Sequence, residues 1–95
     1  MTEHRHAWRI DRAGSLDRLR RVSEPIAAPG PGEARVAVKA IGLNFADIFA
    51  CQGLYSATPK GSFIPGLEFA GVVEEVHGAP FTPGDRVVGL TRFGA

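Results

Sequence analysis

The sequence predicts a mostly β fold with one or two short helices, its strands curling into a small, partly open barrel. Three observations lead there: five short stretches with the alternation or β-branched content of strands, turn signals at close intervals between them, and one stretch with helical spacing. Ninety-five residues form a single domain, 1–95. A chain of this size buries roughly 60–65% of its unfolded surface, which leaves no room for a second full domain.

The elements follow in chain order. In "HAWRIDRAG", His6, Trp8 and Ile10 share one side and Ala7, Arg9 and Asp11 the other, the period of a half-buried strand. Ala13-Gly14-Ser15 reads as a turn, and "LDRLRRVSEP" as a twisted strand despite Leu16, Leu19 and Val22 recurring every three residues. Pro25, Pro29 and Pro31 with two glycines make the next segment an extended surface loop. "ARVAVKAI" alternates cleanly, with Val36, Val38 and Ala40 on one face. Gly42 ends it. A short helix is expected after Asn44, with Phe45, Ile48 and Phe49 at i, i+3 and i+4 and Gly53 as its C-terminal cap. "LYSATPKGSFIPG" is expected to be an irregular, mobile surface loop. "LEFAGVVEEV" and "DRVVGLTR" then read as strands joined by a tight turn at "TPGD".

Composition excludes several classes. With 44% hydrophobic and 22% charged residues and no long apolar run, the chain is neither disordered nor membrane-spanning in type. "MTEHRHAWRI" lacks the features of a secretory signal, so a cytoplasmic protein starting at or near Met1 is expected. The lone Cys51 cannot form an internal disulfide, which agrees with a reducing compartment. The net charge of +1 conceals eight basic and five acidic residues in 1–39, against three and five in the remainder. "RLRR" at 18–21 has no interleaved aromatics and reads as an exposed strand face, so no nucleic-acid partner is expected. No glycine-rich phosphate-binding fingerprint occurs anywhere in the sequence.

Several side chains admit more than one reading. Asn44 can cap the helix, replace a metal ligand, or touch a cofactor; the spacing N-x-x-D to Asp47 is close to a capping box and favours the first. Glu68 is either a structural ion-pair partner or a charge lining a cleft. Tyr55, the only tyrosine, either packs its ring or donates its hydroxyl to a substrate oxygen. His4 and His6 share a strand face without a third ligand, so no metal site is built on them. Cys51 is a small packing residue, and His77 lies in a turn with no triad partners.

In order, "PGPGEARVAVKAIGLNFADIFACQGLYS", "PGLEFAGVVEEV" and "PGDRVVGLTRFG" resemble the N-terminal GroES-like domain of the medium-chain dehydrogenase/reductase superfamily. "GLNFAD" and "GLYS" are most similar to its zinc-free, zeta-crystallin-like quinone oxidoreductase branch. The resemblance implies a substrate domain that faces a Rossmann domain, with NADPH and substrate between them. It also implies hydride transfer to quinones or α,β-unsaturated carbonyls. In zinc-dependent relatives a cysteine stands at the place of Asn44 and a histidine at that of Leu67; neither residue here is a good zinc ligand, so no zinc is expected. The resemblance places Asn44 and Phe45 by the nicotinamide, and Tyr55 and Glu68 by the substrate, with Asn44 and Tyr55 as catalytic hydrogen-bond donors. Asp47 matches a recurring family position. Relatives continue through the rest of this domain and the cofactor domain, so the chain resembles a truncated form, expected to be inactive alone. A homodimer is implied only for the full-length form. The alternative is a non-enzymatic GroES-like binding module, either co-chaperonin-like or a regulatory remnant.

Overall fold

The computed structural model describes residues 3–95, so the expected start at Met1 lies outside the described residues. Strands β1 (His4–Ile10) and β2 (Leu19–Pro25) form an antiparallel hairpin in which Trp8 faces Arg21 and Ile10 faces Leu19. Leu16–Arg18, expected to be strand, form a 3-10 turn instead. Ser15 Oγ accepts the Asp17 N–H at 3.2 Å, and this local cap suits the three-residue spacing of Leu16 and Leu19. Glu24 is gripped by Arg9 at 2.7 Å and Arg5 at 3.3 Å. The Arg9 hydrogen bond, more than any other interaction, holds the Glu24 carboxyl below the usual carboxylate range.

A second sheet has the order β3 (Glu33–Gly42), β4 (Glu68–His77) and β5 (Arg86–Leu90), all antiparallel. The two sheets do not close into a barrel. β3 and β4 slip register between Arg35 and Val36 and again between Val38 and Ala40. Such slips twist a strand and re-aim its side chains. His77, expected in a turn, is the last residue of β4, because Gly32 N–H bonds its carbonyl at 2.6 Å and extends the pairing. The "TPGD" turn forms as expected: Asp85 N–H bonds the Thr82 carbonyl at 3.0 Å, and Asp85 Oδ2 accepts the Thr82 N–H at 2.9 Å.

Helix α1 (Phe45–Gln52) follows β3 directly and ends at Gly53, whose φ of 80° is the left-handed cap conformation that favours glycine. The main core lies where α1 meets the hairpin. Ile10, Ala50, Cys51 and Phe63 are buried there, with Ala13, Leu19, Tyr55 and Phe93 packed around them. Phe63 belongs to the segment expected to be a mobile loop. Its backbone forms an antiparallel bridge with Ile10 (N–O 2.9 and 3.0 Å), which removes that end of the segment from solvent. The tail folds back alongside it: Thr91 N–H bonds Leu67 O at 2.7 Å and Gly94 N–H bonds Ile64 O at 2.8 Å. These bonds seat the Phe93 ring edge-on to Phe63 and Tyr55, at 5.6 and 6.2 Å between centroids.

Candidate functional site

The site is built at the corner where β3 hands over to α1. Asn44 occupies the N-cap position with extended backbone (φ −131°, ψ 156°), and its carbonyl accepts the Asp47 N–H at 2.9 Å. Asp47 Oδ2 reaches back to the Asn44 backbone N–H at 2.8 Å, the reciprocal arm of a capping box. Capping therefore explains the N-x-x-D spacing. Asp47 itself is buried, and its Oδ1 has no hydrogen-bond partner. Unpaired buried oxygens are uncommon and costly.

The helix presents the opposite face from the one its large residues suggest. Phe45, Ile48 and Phe49 are exposed, while Asp47, Ala50 and Cys51 are buried. Small side chains at 50 and 51 let α1 approach Ile10 and Phe63 closely, and the bulky aromatics are left outside. Phe45 and Phe49 stack at 6.5 Å. With Leu43 (83% exposed) they form an apolar surface beside Asn44, and Leu54 (74%) is exposed beyond the far end of the helix. The i, i+4 pairing of Phe45 and Phe49 was the available signal, although spacing alone does not say which side faces solvent.

Glu68 starts β4 directly opposite Gly42 of β3, and its carboxylate lies over that glycine, where a Cβ would collide with it. The structure thus brings Glu68 and its neighbour Leu67 to the corner that ends in Asn44. The Glu68 carboxylate has no ion-pair or hydrogen-bond partner among the described residues. Tyr55 lies just past the other end of α1, roughly 12 Å of helix rise from Asn44. Its ring is half-buried against Phe93, and its carbonyl accepts from Thr58 N–H and Oγ1. No hydrogen bond joins Tyr55 to Asn44.

Cys51, one turn after Asp47, is only 2% exposed. Burial first, and the nearby Asp47 charge second, push its thiol pKa up, so it packs rather than reacts. Among the described residues no three His, Cys, Asp or Glu side chains converge as a metal cluster, and no helix is long and apolar enough to cross a membrane.

Residues 30–93 match the model of the alcohol dehydrogenase GroES-like domain. The chain belongs to that family. It is 45% identical over 85 residues to the human synaptic vesicle membrane protein VAT-1 homolog, covering 85% of this chain and 22% of that protein. It is 48% identical over 68 residues to mouse quinone oxidoreductase-like protein 2, covering 70% and 19%. A mycobacterial protein solved in complex with NADPH superposes with a TM-score of 0.79 at 36% identity, over 90% of this chain and 26% of its own. The chain therefore spans about a fifth of the length of these curated relatives. Within the GroES-like fold, the two open sheets and single α-helix seen here form part of the architecture, and the Asn44 corner lies inside the matched region.

Proposed function

We propose that this GroES-like chain is the substrate-side portion of an NADPH-dependent, zinc-independent oxidoreductase that reduces quinones or α,β-unsaturated carbonyls. The observation that carries the reading is the Asn44 corner. An exposed amide there is framed by the exposed apolar side chains of Leu43, Phe45 and Phe49, with Glu68 beside it. Support also comes from the quinone oxidoreductase-like relative and the NADPH-bound structural neighbour.

The residues present fit only the ring end of the cofactor. Phe45 offers a flat apolar wall and Asn44 an amide for a carboxamide or carbonyl, whereas no glycine-rich turn is available for a pyrophosphate. When bound through a cofactor domain, NADPH supplies the hydride. In this reading Asn44 donates a hydrogen bond to the substrate oxygen as negative charge develops on it, and the Phe45–Phe49 face excludes water. Tyr55 supplies a second donor, once the segment beyond Gly53 turns its hydroxyl toward the cleft. Glu68 borders the substrate. With Asn44 and Leu67 at the positions where zinc-dependent relatives carry ligands, stabilisation rests on hydrogen bonding and positioning rather than a metal. Alone, the chain is inactive, and its place is cytoplasmic.

The test grafts residues 1–95 onto the remainder of mouse quinone oxidoreductase-like protein 2 and follows NADPH oxidation with a quinone. Activity in the chimera, its absence from the isolated chain, and a fall in kcat of about 10²-fold for Asn44→Ala are expected. A folded chimera that binds NADPH without turnover would overturn the enzyme reading and favour the non-enzymatic binding module. Micromolar NADPH binding by the isolated chain would overturn the claim that cofactor affinity resides elsewhere.

A further inference from the structure

Phe93 is held in a conformation that its side chain resists. Its φ is 82°, and every other positive φ among the described residues belongs to a glycine. For an L-residue with a large side chain this region is sterically costly, so it persists only where the surroundings over-determine the backbone. Here they do so from both sides. Thr91 bonds Leu67 O through its N–H at 2.7 Å and Gly66 O through its hydroxyl at 3.2 Å, and Gly94 N–H bonds Ile64 O at 2.8 Å. The strained backbone places the Phe93 ring edge-on to Phe63 at 5.6 Å and to Tyr55 at 6.2 Å.

Tyr55, on the other side of that contact, belongs to a segment with few other anchors. Gly53, two residues earlier, supplies a hinge at φ 80°. From Tyr55 to Ser62, the backbone–backbone hydrogen bond among the described residues runs within the segment, from Thr58 N–H to Tyr55 O at 2.9 Å. The next backbone anchor is the Phe63–Ile10 bridge. The Tyr55 hydroxyl has no hydrogen-bond partner among the described residues. The ring is thus held by Phe93 while its polar end is uncommitted. An edge-on aromatic contact and positive-φ strain are of the same order and opposite sign, so a small bias tips the balance between them. Relaxing Phe93 to negative φ withdraws its ring and leaves Tyr55 free to pivot about Gly53.

We propose that Phe93 is a catch for Tyr55. The strained, edge-on state holds the phenol out of the Asn44 cleft, and relaxation of the Phe93 backbone releases it to donate to the substrate oxygen. Phe93 acts through Tyr55 and is therefore a positioning residue. What the released hydroxyl does rests on the oxidoreductase reading, whereas the catch itself does not. The catch also accounts for a phenylalanine at a position where glycine would be unstrained.

Tyr55 is the sole tyrosine, so isotope-labelled tyrosine reports on its ring alone in NMR spectra of the 95-residue chain. Its ring protons should exchange on the microsecond-to-millisecond timescale between a state shifted by the Phe93 ring and an open one. Phe93→Leu should raise the open fraction at least ~3-fold. Phe93→Gly removes ring and strain together and should do the same, with circular dichroism confirming the fold of both variants. In the quinone oxidoreductase chimera, Phe93→Leu should raise kcat at least ~2-fold and have no further effect once Tyr55→Phe is present. A ring signal indifferent to both substitutions would overturn the catch. A kcat change of equal size with and without the Tyr55 hydroxyl would overturn the positioning role, since Phe93 would then act on the fold alone. An inactive chimera, with the exchange intact in the 95-residue chain, would overturn the oxidoreductase reading and leave the catch standing.

Discussion

Ile10 and Phe63 exchange both backbone hydrogen bonds, at 2.9 and 3.0 Å, and both side chains are buried in one core. That bridge, formed between residues 53 positions apart, fastens the hairpin to the segment leading into β4. Removing the Phe63 ring deletes the centre of a core with few other large members. Phe63→Ala should cost about 3–4 kcal/mol and Ile10→Val about 1 kcal/mol, read from urea midpoints. A Phe63→Ala loss no larger than that of Ile10→Val would show that the core lies elsewhere.

The buried Asp47 has opposing effects on stability. Its Oδ2 caps the Asn44 N–H, while its Oδ1 is buried without a partner. Asp47→Ala loses the cap and should destabilise by about 1 kcal/mol. Asp47→Asn can keep an acceptor for Asn44 while removing a buried negative charge, so it should be the milder change. Thermal melts of the two variants decide the order, and an equal loss would mean that the cap contributes nothing.

How much of this was legible in the sequence differs from element to element. "ARVAVKAI" became β3 and Asn44 the N-cap of α1, because alternation and capping are local properties. The orientation of α1 was not legible: Phe45 and Phe49 mark the apolar side by any local count, yet Ala50 and Cys51 face the core because only small residues fit against Ile10. Phe63 was equally hidden, since its burial depends on a partner distant in sequence. At the site, the register that sets Glu68 over Gly42 needs two strands at once, so sequence order alone could not bring Glu68 to the Asn44 corner.

Glu24 gives the fold an acid-sensitive contact. The Arg9 hydrogen bond, aided by Arg5, lowers its pKa from the ordinary value of 4.5. The folded state therefore releases this proton more readily than the unfolded state does. The resulting stabilisation is complete above pH 4.5 and is lost as pH falls through the lower folded value. Glu24→Gln should lower the urea midpoint at neutral pH, and the gap from the parent should narrow near pH ~3. A gap that is unchanged on acidification would rule out this linkage.

Cys51 has the opposite linkage. Burial and the Asp47 charge raise its pKa above 9.0, so the folded state keeps the proton longer. Its contribution is intact below pH 9.0 and lost as pH rises through the folded value. Because Cys51 is 2% exposed, alkylation must await an opening of the α1–hairpin core. Labelling by iodoacetamide at neutral pH should run at least ~100-fold slower in the native chain than in urea. Comparable rates would show that this core opens freely.

Gly71 and Gly42 separate two kinds of close approach in the same sheet. A Cβ on Gly71 would strike the backbone carbonyl of Ala37, which cannot move without shifting β3 near its register slip at Val38–Ala40. A Cβ on Gly42 would strike only the Glu68 side chain, from Cγ to Oε1, which can swing into solvent. Alanine otherwise favours an ordered strand over glycine by roughly 0.5–1 kcal/mol, so the steric term decides the sign. Gly71→Ala should destabilise by about 2–3 kcal/mol, and Gly42→Ala should stay within about 1 kcal/mol of the parent in urea titrations. Gly42→Ala should also displace Glu68 from the Asn44 corner, so in the quinone oxidoreductase chimera it should raise KM while leaving the melting temperature nearly unchanged. If Gly42→Ala proved as destabilising as Gly71→Ala, Glu68 would be held rigidly at that corner instead of resting over it.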